Sequence, residues 1–295
     1  MTTTLQRGLD RDAPVELQAV GHKRRPGLLG KLAHYALMIL VALFFIMPLV
    51  IMISTSLKVR AEVFTDPGLI PSDPSLENFE QLLGSNAPFF RWFVNSAIVS
   101  SVGTFLTIVL TSLSAYAFAR IDFPFKSLLF GTLIATLLLP GVMFLVPQSR
   151  LMGALGLYDT LPAFVLPGLA GVFGVFFMRQ FFLGIPLELE EAAYVDGANR
   201  LTTFRSVVLP LAGPAVATLA VITFLAYWND YLWPLVMCQN NCTLPPGLRL
   251  LQGQYTAEYG LLMAGAVIAA LPVLLVYLAL QRFIVQSVVS SGVKG

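Results

Sequence analysis

The charges of this chain leave six long stretches untouched. No Asp, Glu, Lys or Arg occurs from Leu32 to Leu57, Trp92 to Ala119, Ser127 to Ser149, Thr160 to Met178, Ser206 to Asn229, or Tyr259 to Gln281. Roughly 20 apolar residues carry a helix across the hydrocarbon of a bilayer, and each run approaches or exceeds that length. Lipid offers no partner to a bare N–H or C=O, so a crossing segment must satisfy its own backbone. Strands of a membrane barrel would alternate polar and apolar positions over about 10 residues, and these runs do not. The first run is too long for the apolar part of a cleaved leader, and a long charged segment precedes it. The expectation is an all-α membrane protein with six transmembrane helices, near 33–57, 93–119, 127–147, 160–178, 212–236 and 260–281.

Composition agrees. Of 295 residues, 57% are hydrophobic and 12% charged, against about 25% charged in soluble domains. Mean hydropathy is +0.78. That argues against a soluble enzyme or a disordered chain. A net charge of +2 gives no basic field for nucleic acid. Two cysteines make neither a disulfide scaffold nor a four-cysteine zinc site. His22 and His34 are the only histidines, which excludes a multi-histidine metal site.

Basic residues suggest an orientation. With the N-terminus inside, 13 Lys and Arg fall on inner segments and 5 on outer ones, as the positive-inside rule requires. Both termini are then cytoplasmic and the protein is multi-pass in the cell membrane. The first outer loop, about 58–92, places Leu76, Phe79, Leu82 and Leu83 at helical spacing. Two readings fit: an amphipathic helix on the outer surface or a neighbouring chain, and a cap over the bundle.

The inner segment from 178 to 214 reads MRQFFLGIPLELEEAAYVDGANRLTTFRSVVLPLAGP. Pro186 suits the first turn of a helix. Glu188, Glu190 and Glu191 fall near its N-terminus, where the macrodipole favours anions. Ala192 and Ala193 leave a smooth face, and Gly197 can close the helix in the left-handed region. Thr202 or Thr203 would cap a second short helix running to Leu209-Pro210. Small alanines allow close approach of another backbone, and the flanking acids can meet its Arg or Lys. A docking knob and a loop packed under the bundle both fit this helix physics.

Glu191-Ala192-Ala193, three residues, Gly197, nine residues, then Val207-x-Leu209-Pro210 resembles the EAA motif of ABC importer permeases, E-A-A-x3-G-x9-I-x-L-P. Val207 is the one departure. The run 178–199, Thr55-Ser56-Leu57-Lys58, SLSAYAFARIDFP at 112–124, WNDYLWPL at 228–235 and the terminal Gly292-Val293-Lys294-Gly295 are similar to carbohydrate-uptake permeases of the maltose type. The similarity covers about 33–295. It implies a type I ABC importer permease fold: a cytoplasmic tail at 1–32, a six-helix domain at 33–281 with an EAA loop at 184–211, and a cytoplasmic tail at 282–295. The loop, between helices 4 and 5, would be the coupling helix that enters an ATPase subunit.

The resemblance implies four kinds of partner: a second, non-identical permease, a pair of ATPase subunits, an extracytoplasmic binding protein, and the sugar. ATP and Mg2+ would be bound by the ATPase, with no cofactor in this chain. ATPase-coupling roles carry to Glu191, Ala192, Ala193, Asp196, Gly197, Leu209 and Pro210, and a contact of the C-terminal tail with the ATPase to Lys294 and Gly295. The chain lacks a phosphate loop of its own: Gly27-Leu28-Leu29-Gly30-Lys31-Leu32 fails G-x-x-x-x-G-K-[ST] at 25 and 32.

Ser96, Ser100, Thr104, Thr107, Thr111 and Ser114 form one hydroxyl stripe on the second span. Such residues glue membrane helices together; the other reading is a polar pathway for sugar hydroxyls. Asn229 and Asp230, flanked by Trp228, Tyr231 and Trp233, mark either a membrane-boundary anchor or a substrate contact. Proline and glycine breaks at Pro140-Gly141, Pro147, Pro162, Pro167-Gly168, Gly171 and Gly174 suit a bundle that rocks and equally a static bent one. Cys238 and Cys242 are two free thiols or a local staple. Glycerol-3-phosphate is the alternative solute, and a gradient-driven secondary transporter is the alternative machine. The latter is expected to need intramembrane acids, and Asp230 is the one acid in the spans.

Overall fold

The computed structural model describes residues 28–66, 68–84, 88–254 and 258–292, with 252–254 and 282–292 as backbone only. Regular structure among the described residues is all helical. The chain divides into two compact units, Met1–Pro48 and Leu49–Gly295. Residues 28–48 of the first are the opening stretch of helix α1 (Leu28–Ser56), apolar and exposed all round.

The second unit continues through α2 (Glu62–Thr65), α3 (Glu77–Gly84) and α4 (Phe89–Arg120). Then come α5 (Lys126–Ala135), α6 (Leu145–Ala154), α7 (Leu161–Val165), α8 (Val172–Leu183), α9 (Glu188–Val195), α10 (Arg200–Thr203) and α11 (Leu209–Leu211). It ends with α12 (Gly213–Trp228), α13 (Leu232–Met237), α14 (Leu244–Gln254) and α15 (Tyr259–Gly292). Leu28–Ser56, Phe89–Arg120 and Tyr259–Gln281 are each long and apolar enough to cross a bilayer. Three bent pairs reach that standard together: Lys126–Leu138 with Gly141–Ala154 at 97°, Leu161–Ala170 with Val172–Leu183 at 46°, and Arg200–Leu211 with Gly213–Trp228 at 79°.

The stretches 127–147, 160–178 and 212–236 are therefore not single helices. Pro140 drives Leu139 to extended backbone, φ −87° and ψ 126°, as a following proline does. Pro214 in the first turn of α12 has no N–H to bond back into the preceding turn. α12 then stops at Trp228, and Pro234 stands in the first turn of the separate α13.

Helix α4 is the spine. α8 and α12 lie along it, and α7 and α14 also touch it. Small residues set the spacing. A Cβ on Gly171 would stand 2.9 Å from the Thr107 methyl, and one on Gly174 3.0 Å from the Thr111 methyl. The Tyr227 ring of α12 lies against Gly103 and Gly168, and Trp92 lies against Gly247, with no room for a Cβ at any of the three. Close approach through small residues is the usual basis of helix packing in lipid.

Toward the N-terminal end of α4, Phe89 and Trp92 join Leu82, Trp228, Leu251 and Leu261 in one core. Leu82 and Phe79 of α3 pack there, and the Asn78 amide donates to the Ser56 and Lys58 carbonyls at 2.9 and 2.8 Å. Helix α3 is thus the cap of the two readings, with Leu76 and Leu83 exposed. Cys238 and Cys242 are joined as a disulfide, the local staple of the earlier alternatives. The loop they brace is tied to α4, where the Asn95 amide donates to the Cys242 carbonyl at 2.9 Å and Ser96 Oγ accepts from the Leu244 N–H at 2.7 Å.

Asp159 holds the same loop from the other side. Its Oδ1 accepts backbone N–H groups of Gln239, Asn241 and Asn240 at 2.8, 2.9 and 3.0 Å. Burial opposes its ionisation, yet these donors outweigh burial and hold the carboxyl below its usual range. The bent helices are also tied. Pro167 has no N–H to return to the Ala163 carbonyl, and the Trp233 indole donates there at 2.9 Å.

A carboxyl depressed by folding stabilises fully above its unfolded pKa of about 3.9, and the contribution fades as pH falls through the lower folded value. Asp159→Asn should therefore lower the melting temperature in detergent at pH 7, with the gap to wild type closing as pH drops below about 3.9. Melting curves of both proteins from pH 7 to 3 check this. Trp233→Phe keeps the ring but orphans the Ala163 carbonyl. It should cost about 1–3 kcal/mol, read from the same melts.

Candidate functional site

Most of the residues singled out by sequence gather in two places, an elbow between α8 and α12 and a pair of grooves beside α12. In the elbow, Pro186 stands two residues ahead of α9 rather than in its first turn, which holds Glu188, Glu190 and Glu191. The other end of α9 closes as a Schellman motif. Gly197 takes φ 84°, its N–H donates to the Tyr194 carbonyl at 3.0 Å, and the Ala198 N–H donates to the Ala193 carbonyl at 2.9 Å. That pair of bonds satisfies orphan carbonyls and needs the left-handed residue that glycine supplies.

The second helix is not capped by Thr202 or Thr203. Asn199 Oδ1 accepts from the Thr202 N–H at 2.9 Å and its hydroxyl at 3.1 Å. Asparagine leads threonine as an N-cap, and Thr203 is buried. The chain then passes through a π-turn at Phe204–Val208 into α11. Both legs of the elbow pack on Tyr116 of α4. Its ring centroid lies 5.0 Å from Phe204 and 6.2 Å from Phe182, within a core that includes Ile185, Val208 and Ala212.

The three acids of α9 divide by face. Glu188 and Glu191 are exposed, as are Ala192, Asp196 and Gly197; Ala193 is partly buried. Val195 is 88% exposed. Leu209 packs against the elbow core and Pro210 is exposed. Glu190 instead turns inward and is 2% exposed. Its Oε1 accepts from Arg120 Nε at 2.6 Å and its Oε2 from the Tyr116 hydroxyl at 3.0 Å. Arg120 Nη2 also donates to the Ile185 carbonyl at 2.6 Å. Glu190 is thus not free to meet a basic residue of another protein. Sequence reasoning missed Arg120 and Tyr116. The available signal was a lone arginine closing an apolar helix and an acid paired with Tyr194 at i, i+4.

Beside α12, Thr107, Gly168, Tyr227 and Asp230 border a groove of about 320 Å3. Tyr227 and Asp230 also border a second, of about 360 Å3, with Gln148, Phe164 and Trp233. The Tyr227 hydroxyl lies 3.3 Å from Thr107 Oγ1 and donates to the Val165 carbonyl at 3.2 Å. Ser100 and Thr104 are buried among the helices and border neither groove; Asn229 is exposed and borders neither. Trp228 is buried, its indole donating to the Ala269 carbonyl at 3.1 Å, so it ties helices together rather than anchoring a boundary. Lys294 and Gly295 lie outside the described residues.

Comparison of the sequence with known proteins places it in one family. Residues 96–290, from the N-terminal part of α4 through the elbow and into α15, match the binding-protein-dependent transport system inner membrane component. The arabinooligosaccharide transport permease AraQ of Halalkalibacterium halodurans is 34% identical over 86% of this chain and 93% of its own length. The sn-glycerol-3-phosphate transport permease UgpE of Salmonella choleraesuis is 33% identical over 88% and 95%. Among solved structures, a bacterial ABC transporter that imports the acidic polysaccharide alginate aligns with TM-score 0.76 and 23% identity, covering 87% of this chain and 96% of that one. This chain belongs to the family of inner membrane components of binding-protein-dependent transport systems.

Proposed function

We propose that this chain is one of two non-identical permease subunits in an ATP-driven importer of a sugar, a di- or oligosaccharide. A binding protein delivers the solute from outside, and a pair of ATPase subunits binds ATP and Mg2+ beneath the membrane. The chain crosses the membrane six times, three of the crossings bent, with both termini and the elbow in the cytoplasm. The observation that carries this reading is the elbow, an acidic helix closed at Gly197 that presents Glu191, Ala192, Val195 and Asp196 to solvent. Small and acidic residues on a rigid, protruding helix suit insertion into a cleft of a basic partner.

Closure of the ATPase pair on ATP draws the coupling helices together and turns the bundle outward-facing; hydrolysis resets it. Driving a two-state switch from 1:99 to 99:1 takes about 5.5 kcal/mol of differential binding, which the elbow must transmit. Beyond the C-terminal elbow leg, the grooves offer a solute surface. Thr107 and Tyr227 hydroxyls and the Asp230 carboxylate answer sugar hydroxyls, and Trp233 gives a ring face. Ser100 and Thr104 pack the wall behind them. A carboxylate in that surface repels a phosphate, which favours a neutral sugar over glycerol-3-phosphate, the solute in the name of one relative.

Glu191→Lys combined with Gly197→Asp reverses the exposed charge and strains the left-handed turn by about 1–2 kcal/mol. The variant should insert into the membrane normally yet lose ATPase copurification and sugar uptake, each at least about tenfold. Uptake at the normal rate in vesicles with all partners present would reject the docking role.

A further inference from the structure

The buried contact of Glu190 with α4 carries a role of its own. Arg120 is the last residue of α4, and its side chain is 9% exposed. It grips the elbow twice, at the Glu190 carboxylate and at the Ile185 carbonyl, both at 2.6 Å. The Tyr116 hydroxyl, one turn earlier, takes the other carboxylate oxygen at 3.0 Å. Each carboxylate oxygen therefore has a donor from α4, which fixes the rotation of α9 about its axis as well as its distance.

A buried ion pair is a poor way to gain stability. Desolvation offsets most of the attraction, and an apolar pair of similar volume does as well or better. The surrounding core could supply such a replacement, since Tyr116, Phe182, Ile185 and Phe204 already pack there. Apolar contacts, however, slide. Two charge-assisted bonds with fixed directions do not. Two further ion pairs, Arg60–Glu258 and Lys126–Asp122, each have one well-exposed partner, so they are not struts of this kind.

We infer that Glu190, Arg120 and Tyr116 form a strut that converts displacement of the elbow into displacement of α4. Adjacent acids on α9 divide the work: Glu191 faces the motor and Glu190 faces the chain's own spine. The pull on α9 reaches α4 at its C-terminal end. α4 in turn carries α8 and α12, and its Thr107 borders the groove shared with Asp230. These are positioning residues that touch no solute.

This inference rests on the proposed ATP-driven import. If that reading fails, the wild-type complex shows no ATP hydrolysis stimulated by solute-loaded binding protein. If it holds, the strut is tested in proteoliposomes containing all partners, by the ratio of solute imported to ATP hydrolysed. Glu190→Gln, Arg120→Gln and the double variant Glu190→Gln/Arg120→Gln are compared, with Tyr116→Phe as the mildest change. The single variants leave one charge or its partner unmatched, while the double variant leaves no unpaired charge and should assemble with the ATPase at wild-type stoichiometry. The strut predicts that the double variant still hydrolyses ATP but imports about tenfold less solute per ATP, with Tyr116→Phe between it and wild type. A double variant with the wild-type ratio overturns the strut, because the pair would then be structural only. A double variant that no longer copurifies with the ATPase also overturns it, because the pair would then build the elbow rather than move the spine.

Discussion

The close approach of helices to α4 is the constraint on which this architecture depends. Helices in lipid gain nothing from excluding water between them, so their contacts rely on packing at short range and on hydrogen bonds. α4 meets that demand with Thr107, Thr111 and Gly103, opposite Gly171, Gly174 and Tyr227. The same helix uses its two ends differently. Asn95 and Ser96 hold the disulfide-braced loop and the start of α14, and Tyr116 and Arg120 hold the elbow. One continuous helix of 32 residues thus joins the loop at one end to the elbow at the other.

Energetic coupling between distant sites needs an element with two arrangements that both sites bias. Under the proposed function α4 would be that element, since the braced loop and the elbow are both tied to it. Glu190 and Glu191 stand side by side in one turn of helix, the first buried against α4 and the second exposed to solvent.

Much of this was legible in the sequence because the underlying physics is local. Charge-free runs located the apolar helices, since a buried charge is expensive in lipid. Gly197 was readable as a helix stop because only a left-handed residue completes that bond pattern. The inward turn of Glu190 was not readable. It differs from Glu191 by a rotation of about 100°, and its partner Arg120 lies 70 residues away. The 97° bend at Pro140 was visible as a break but not as an angle, because neighbours set the angle. Helix α14 lies between the expected helices 212–236 and 260–281 and was not expected; its prolines are tolerated in a first turn, and the Gly247 N–H bonds the Thr243 carbonyl at 3.0 Å. Asn199 won the cap over Thr202 because the helix begins one turn earlier than the threonines suggested.

The broken spans bear on how such a bundle moves. A proline or glycine break is a hinge only if the backbone groups it frees are loose. Here they are claimed. The Trp233 indole of α13 takes the Ala163 carbonyl, and the Tyr227 hydroxyl of α12 takes the Val165 carbonyl. Bending at 166–171 would break those bonds, and each buried carbonyl left unpaired costs about 1–3 kcal/mol. The break at 166–171 is better understood as a fixed corner, with Gly168 and Gly171 giving Tyr227 and Thr107 room to seat. Under the proposed function, a switch driven from the elbow would carry α4, α8 and α12 together, because those three helices pack on one another.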